Sequence, residues 1–236
     1  MSPRVLARTG ATCGLAYVAL GVVGSDVLGG SGDAPAPNAS PAAIGAFIAS
    51  HPTTTKVWIG AYLDVLALLA FIVFVAYLHS VLRKADRDGG FLPTVVLGGG
   101  LVAAAVKLAS FAPGFAVLYR GQDGISAQLA TAMFDMNNAA FALDWALNAL
   151  MLAATAGVVL RSDVLPRWVA WSALAIAPLL LASVPLFTLG DGPPVFLFAL
   201  LWIIGTSVAL IRRADTPVTT PPNAQPPARH AVGTTA

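Results

Sequence analysis

The sequence predicts an all-α, polytopic integral membrane protein, a bundle of six transmembrane helices, and three observations predict it. Of the 236 residues 57% are hydrophobic and only 10% are charged, against about 25% charged in a typical soluble domain. Several apolar runs reach about twenty residues, the length an α-helix needs to cross roughly 30 Å of hydrocarbon, and mean hydropathy is +0.79. The runs are continuous rather than alternating, which excludes a transmembrane β-barrel.

Each element has its own signal. A short basic head with Arg4 and Arg8 precedes a first span over 11–28. Its basic start and the small residues at 29–34 also fit a cleaved signal peptide. A retained span is favoured, because the five later spans work best with it. The loop over 31–56 is rich in Pro and Ala and is read as extracytoplasmic. Within it Ser40-Pro41 caps a short interfacial helix with Ile44, Phe47 and Ile48 on one face. The second span covers 57–82 and ends in the charged turn Arg83-Lys84-Ala85-Asp86-Arg87-Asp88.

The third span, 91–119, carries Gly98-Gly99-Gly100 early and Pro113 late, and the loop 122–126 follows. The glycine run fits close helix packing, as does the shared face of Gly14, Gly21 and Ser25 in the first span. The fourth span, 128–160, is too long for one crossing, so its first two turns are expected to project beyond the bilayer. The fifth, 168–189, carries Pro178 and Pro185, which usually bend a membrane helix. A turn over 191–194 leads to the sixth span, 195–211. Residues 1–213 thus form the transmembrane domain, and 214–236, built of Thr, Pro, Ala and Asn, are expected to be a disordered cytoplasmic tail. Trp58, Trp168 and Trp171 read as interfacial anchors.

Six spans place both ends on one side, together with Arg4, Arg8, Arg83, Lys84, Arg87, Arg161, Arg167, Arg212 and Arg213; the other side has Lys56 and Arg120. The positive-inside rule then predicts a protein of the cell (plasma) membrane with cytoplasmic N- and C-termini. Net charge is +2 with the basic residues scattered, which argues against nucleic acid and leaves the lipid bilayer as the evident partner. The single cysteine, Cys13, excludes an intrachain disulfide and any multi-cysteine metal site. His79 has no facing histidine for haem, since His51 and His230 fall in a loop and the tail. No metal-ligand spacing occurs, so neither metal nor cofactor is expected.

The candidate site comes from charges inside the spans. Leu63-Asp64, running into Val81-Leu82-Arg83, is echoed by Leu143-Asp144, running into Val159-Leu160-Arg161. Leu92-Pro93 and Leu108-Ala109-Ser110 are echoed in turn by Leu165-Pro166 and Leu181-Ala182-Ser183. The echo reads either as a parallel hairpin repeat of spans two–three and four–five or as chance in a chain so rich in Leu, Ala and Val. Asp64 lies 19 residues before Arg83 and Asp144 lies 17 before Arg161. Both therefore sit about 25–29 Å from the cytoplasmic boundary, in the outer part of the hydrocarbon. A carboxylate there costs a few kcal/mol and so faces a protein interior or a wet cavity.

Asn137, Asp144 and Asn148 share one face of the fourth span, with Phe141 between them. Asp135 and Asn138 lie on another face nearer the surface, as an outer vestibule, and Asp26 is also read as a solvated position. Lys107, the sole lysine within a span, reaches a similar depth and is expected to pair with Asp64 or Asp144. The bland alternative for all these groups is hydrogen-bonded glue between helices, worth around a kcal/mol or less per contact.

The layout resembles the bacterial membrane-protein family catalogued as domain of unknown function 4386. The resemblance rests on the early aspartate of the second span, Asp64, on Phe141-Ala142-Leu143-Asp144, and on the hinge Arg161-Ser162-Asp163-Val164-Leu165-Pro166-Arg167. It would cover nearly all of 9–213, although the fourth-span aspartate is spaced differently here. It implies the six-span architecture and brings no activity with it.

Three functional readings follow. In the first, Asp64 and Asp144, with Asn137 and Asn148 beside them and Lys107 tuning them, line an outward-facing polar cavity that binds or transports a small cation or cationic small molecule. In the second, an aspartate acts as acid or base in an intramembrane enzyme on a lipid or prenyl-type substrate. In the third, the chain is a structural or regulatory membrane subunit. A wet funnel reaching the outer surface would favour the first, and a large apolar pocket beside either aspartate the second.

Overall fold

The computed structural model describes residues 2–28, 34–51, 53–86, 89–120, 124–188 and 195–215, and every regular element among them is a helix. These are α1 (Pro3–Gly21), continued by a π-helical stretch over Val22–Leu28, then α2 (Pro41–Ser50), α3 (Thr55–Ala85), α4 (Phe91–Arg120), α5 (Ala127–Arg161), α6 (Arg167–Thr188) and α7 (Val195–Asp215). All but α2 are long and apolar enough to cross a membrane, giving the 6 spans expected. The protein is a multi-pass membrane helix bundle. The expected turn over 191–194, Arg87 and Asp88, Gln122 and the tail beyond Asp215 lie outside the described residues.

Helix starts follow their caps. The Ser2 hydroxyl accepts from Val5 N ahead of Pro3, so α1 already includes the basic head with Arg4 and Arg8. Ser40 with Pro41 starts α2 in the same way, and Ser126 caps α5. The α3–α4 turn uses Gly89 and Gly90, at φ 82° and 84°, a left-handed pair that side-chain-bearing residues avoid. Gly90 N donates to Asp86 there at 2.8 Å.

The spanning helices form a closed ring. Each packs on its successor, α1–α3–α4–α5–α6–α7, and α7 packs back on α1. Neighbours run antiparallel: Gly10, early in α1, meets Tyr77, late in α3, whereas Ser25 beyond α1 meets Asp64, early in α3. Both described ends of the chain lie at one end of the ring, where Arg8 and Asp215 form an ion pair of 2.7 Å. Arg213 donates to the Val164 carbonyl in the α5–α6 turn at that same end. Trp202 of α7 donates to the Val169 carbonyl of α6 at 2.9 Å, pinning the seam between them.

Glycines set the closest approaches. A methyl group on Gly100 of α4 would stand 2.6 Å from Val75 of α3, and one on Gly99 would touch the α5 backbone at Leu147 and Met151. Gly99 and Gly100 of the run therefore serve helix packing, whereas Gly98 faces open space. On α1, Gly14 lies hard against Ser207 and Phe74, but Gly21 faces open space and Gly24 takes its place. The π-helical stretch changes the angular register there, so the face predicted through Gly21 shifts towards Gly24 while Ser25 stays at the seam.

At about 1.5 Å per residue, the 35 residues of α5 span about 52 Å, well beyond the hydrocarbon thickness. The excess is used: α2 lies against α5, with Ile44 and Ala130 both 1% exposed and Gly45 beside Ala127. Phe47 and Ile48 are half-buried on the same side of α2, as their spacing predicts.

Candidate functional site

Three neighbouring helices each bring one charge to the interior of the ring: Asp64 from α3, Lys107 from α4 and Asp144 from α5, all half-buried. Asp64 is held from α1. The Ser25 hydroxyl donates to its carboxylate, lying 2.9 and 3.0 Å from the two oxygens. Gly24 leaves no room beside them, since a methyl there would stand 2.6 Å from Oδ1 of Asp64 and 2.8 Å from the Gly60 carbonyl. The π-helical turn thus presses bare backbone onto α3 and aims Ser25 at the carboxylate. Asp144 is held within its own helix, its Oδ1 accepting from Nδ2 of Asn148 at 2.9 Å, with the Asp144 carbonyl 3.0 Å from the same nitrogen.

Lys107 departs from expectation. Among the described residues its ammonium makes no direct ion pair with a carboxylate. It sits over the ring of Phe141, 4.2 Å from the centroid, with the Phe111 ring 5.8 Å away. Phe141 lies three residues before Asp144, about one turn along α5. Both aspartates remain within its electrostatic reach, Asp144 with the stronger pull. A desolvated cation–π contact contributes about 2 kcal/mol, less than the roughly 2.5–3.5 kcal/mol that a charge costs at mid-membrane. The backbone is irregular here as well: Ser110, 3% exposed, returns its hydroxyl to the Lys107 carbonyl at 2.7 Å, and Pro113 has no N–H for the carbonyl four residues back.

Aromatic rings surround the charges. Tyr17 of α1 packs on Phe71 of α3 at 4.8 Å, and its hydroxyl lies in the field of both Asp144 and Asp64. Phe141 meets Trp145 at 5.2 Å and reaches Phe196 of α7 at 5.9 Å across the ring interior. Asp64 and Asp144 thus lie within electrostatic reach of the same two groups, Lys107 and Tyr17.

The remaining candidates separate from this cluster. Asn137 is half-buried seven residues before Asp144, about 10 Å up the helix. Asp135 is exposed. The amide nitrogen of Asn138 is buried without a hydrogen-bond partner among the described residues. Sequence reasoning took Ser25 for packing alone and passed over Tyr17. The signal was present for Tyr17, the sole tyrosine of α1. Two surface grooves, of about 350 and 400 Å³, run along the flank of α1, one by Arg8, Thr12 and Cys13 and the other by Leu15, Val22 and Ile204. Neither touches Asp64, Lys107 or Asp144.

The sequence profile of the family described as Domain of unknown function (DUF4386) matches residues 37–211, from just before α2 to the last turn of α7. The chain belongs to that family. The DUF4386 segment contains Asp64, Lys107, Asp144 and Asn148, whereas α1 with Tyr17 and the π-helical stretch with Ser25 precede it. No curated protein and no solved structure matches the chain.

Proposed function

We propose that the protein binds a small cation within the membrane, in the neighbourhood of Asp64, Asp144 and Lys107, as one step of binding or transport. The observation that carries the reading is that two acids, Asp64 from α3 and Asp144 from α5, are each within electrostatic reach of Lys107 from α4. By the positive-inside rule the arginine-rich end, with Arg8, Arg83, Arg161 and Arg213, is cytoplasmic, and the two acids lie towards the outer face of a plasma membrane.

Thermal unfolding of the purified protein in lipid nanodiscs tests this, with Na⁺, K⁺ and methylammonium chlorides exchanged against N-methylglucamine chloride at constant ionic strength. A saturable rise in Tm is expected with at least one cation, weakened tenfold or more in Asp64→Asn and in Asp144→Asn. Wild-type protein indifferent to every cation, or folded variants that respond as wild type does, would refute the reading.

A further inference from the structure

The groove of about 350 Å³ on the outer flank of α1, apart from the acids, is lined by Val5, Arg8, Thr9, Thr12, Cys13 and Ala16. We propose that it holds an acyl chain of one anionic phospholipid whose phosphate meets Arg4 and Arg8. The lining positions recur every three or four residues and so form one stripe of the helix, which Arg4 heads one turn before Arg8. Both guanidinium groups are exposed, as are Val5, Thr9 and Thr12. The first turn of α1 carries no acidic residue, so the positive end of the helix adds to the two arginines. From Arg8 to Ala16 the stripe descends about 12 Å, most of the roughly 15 Å depth of hydrocarbon in one leaflet.

The two ends of this stripe fit one molecule with two kinds of chemistry. Guanidinium forks suit the oxygens of a phosphate diester. Below them the Thr12 hydroxyl turns back onto the Arg8 carbonyl at 2.8 Å, which leaves its methyl group to the groove. A free phosphate would leave that apolar length unfilled. A second copy in the same membrane orientation would bring two pairs of guanidinium groups together, which like-charge repulsion opposes. Asp215 holds one side of Arg8 at 2.7 Å, but it is itself exposed, and Arg4 makes no ion pair among the described residues. A lipid phosphate therefore meets Arg4 directly and competes with Asp215 for Arg8.

Native mass spectrometry of the full chain released from detergent tests this, in titrations with dioleoylphosphatidylglycerol and dioleoylphosphatidylcholine. The first phosphatidylglycerol is expected to bind at least fivefold more tightly than phosphatidylcholine, and equal affinities would refute the site. The preference should fall to near parity in the double variant Arg4→Gln/Arg8→Gln and rise in Asp215→Asn, which releases Arg8. Thr12→Phe keeps every charge but fills the groove, so it should weaken the first phosphatidylglycerol at least fivefold. Wild-type affinity in that variant would reduce the effect to attraction by surface charge and overturn the proposal. Ala16→Phe makes the same test should Thr12→Phe fail to fold. Glycerol 3-phosphate, which has no chains, should not compete; competition as strong as the lipid's would mark a free-anion site instead. A dimer present in wild type and absent in Thr12→Phe would assign the groove to a second copy and sink the lipid assignment.

Discussion

At the scale of single residues, the Ser25–Asp64 contact is the best-defined polar bond between helices in the site. The hydroxyl meets both carboxylate oxygens at 2.9 and 3.0 Å from a neighbouring helix. A hydrogen bond to a charged group contributes about 1.5–3 kcal/mol net, twice or more a neutral one. Ser25→Ala should therefore lower unfolding stability by about 1–2 kcal/mol in the wild-type background and by much less on top of Asp64→Asn. A double-mutant cycle from denaturant melts measures the difference, and strictly additive losses would mean that the bond contributes nothing. Lys107 illustrates a different lesson. Spacing along the chain suggested Asp64 or Asp144 as its partner, whereas its ammonium sits over the ring of Phe141. Spacing reports which turn a side chain leaves from, whereas the choice between a carboxylate and a ring one turn away depends on how α4 is rotated against α5.

At the scale of elements, five of the spanning helices could be bounded from hydropathy to within a few residues, because each is a continuous apolar run ended by charge, glycine or proline. The π-helical stretch of Val22–Leu28 was illegible, since nothing in Val22-Val23-Gly24-Ser25 differs from an ordinary helix. It exists through tertiary contact, with Gly24 pressed onto Gly60 and Asp64. The glycine run of α4 gives a sharp test of the packing. A methyl on Gly98 meets nothing, whereas one on Gly100 meets Val75 at 2.6 Å and the Met151 sulfur at 3.2 Å. Gly98→Ala should stabilise the protein by up to about 1 kcal/mol through helix propensity, and Gly100→Ala should cost about 1–3 kcal/mol by overpacking. Equal effects of the two substitutions in thermal melts would contradict the α3–α4 interface described here.

At the scale of the molecule, the antiparallel ring puts the α2 face and the α5–α6 turn at opposite ends. In a Cys13→Ser background, a cysteine in place of His51 should react with a membrane-impermeant maleimide on intact cells. One in place of Asp163 should react only after permeabilisation. The reverse pattern would invert the orientation drawn from the arginines. The ring has a further consequence, which lies in how the protein is made. Its closing seam joins the first helix to the last, with Gly14 seated on Ser207. During synthesis α1 enters the bilayer long before its partner exists, and until α7 emerges the bundle is an open crescent. A ribosome that stalls before α7 leaves the flank of α1 uncovered, a broken edge that membrane quality-control proteases can recognise as unfinished.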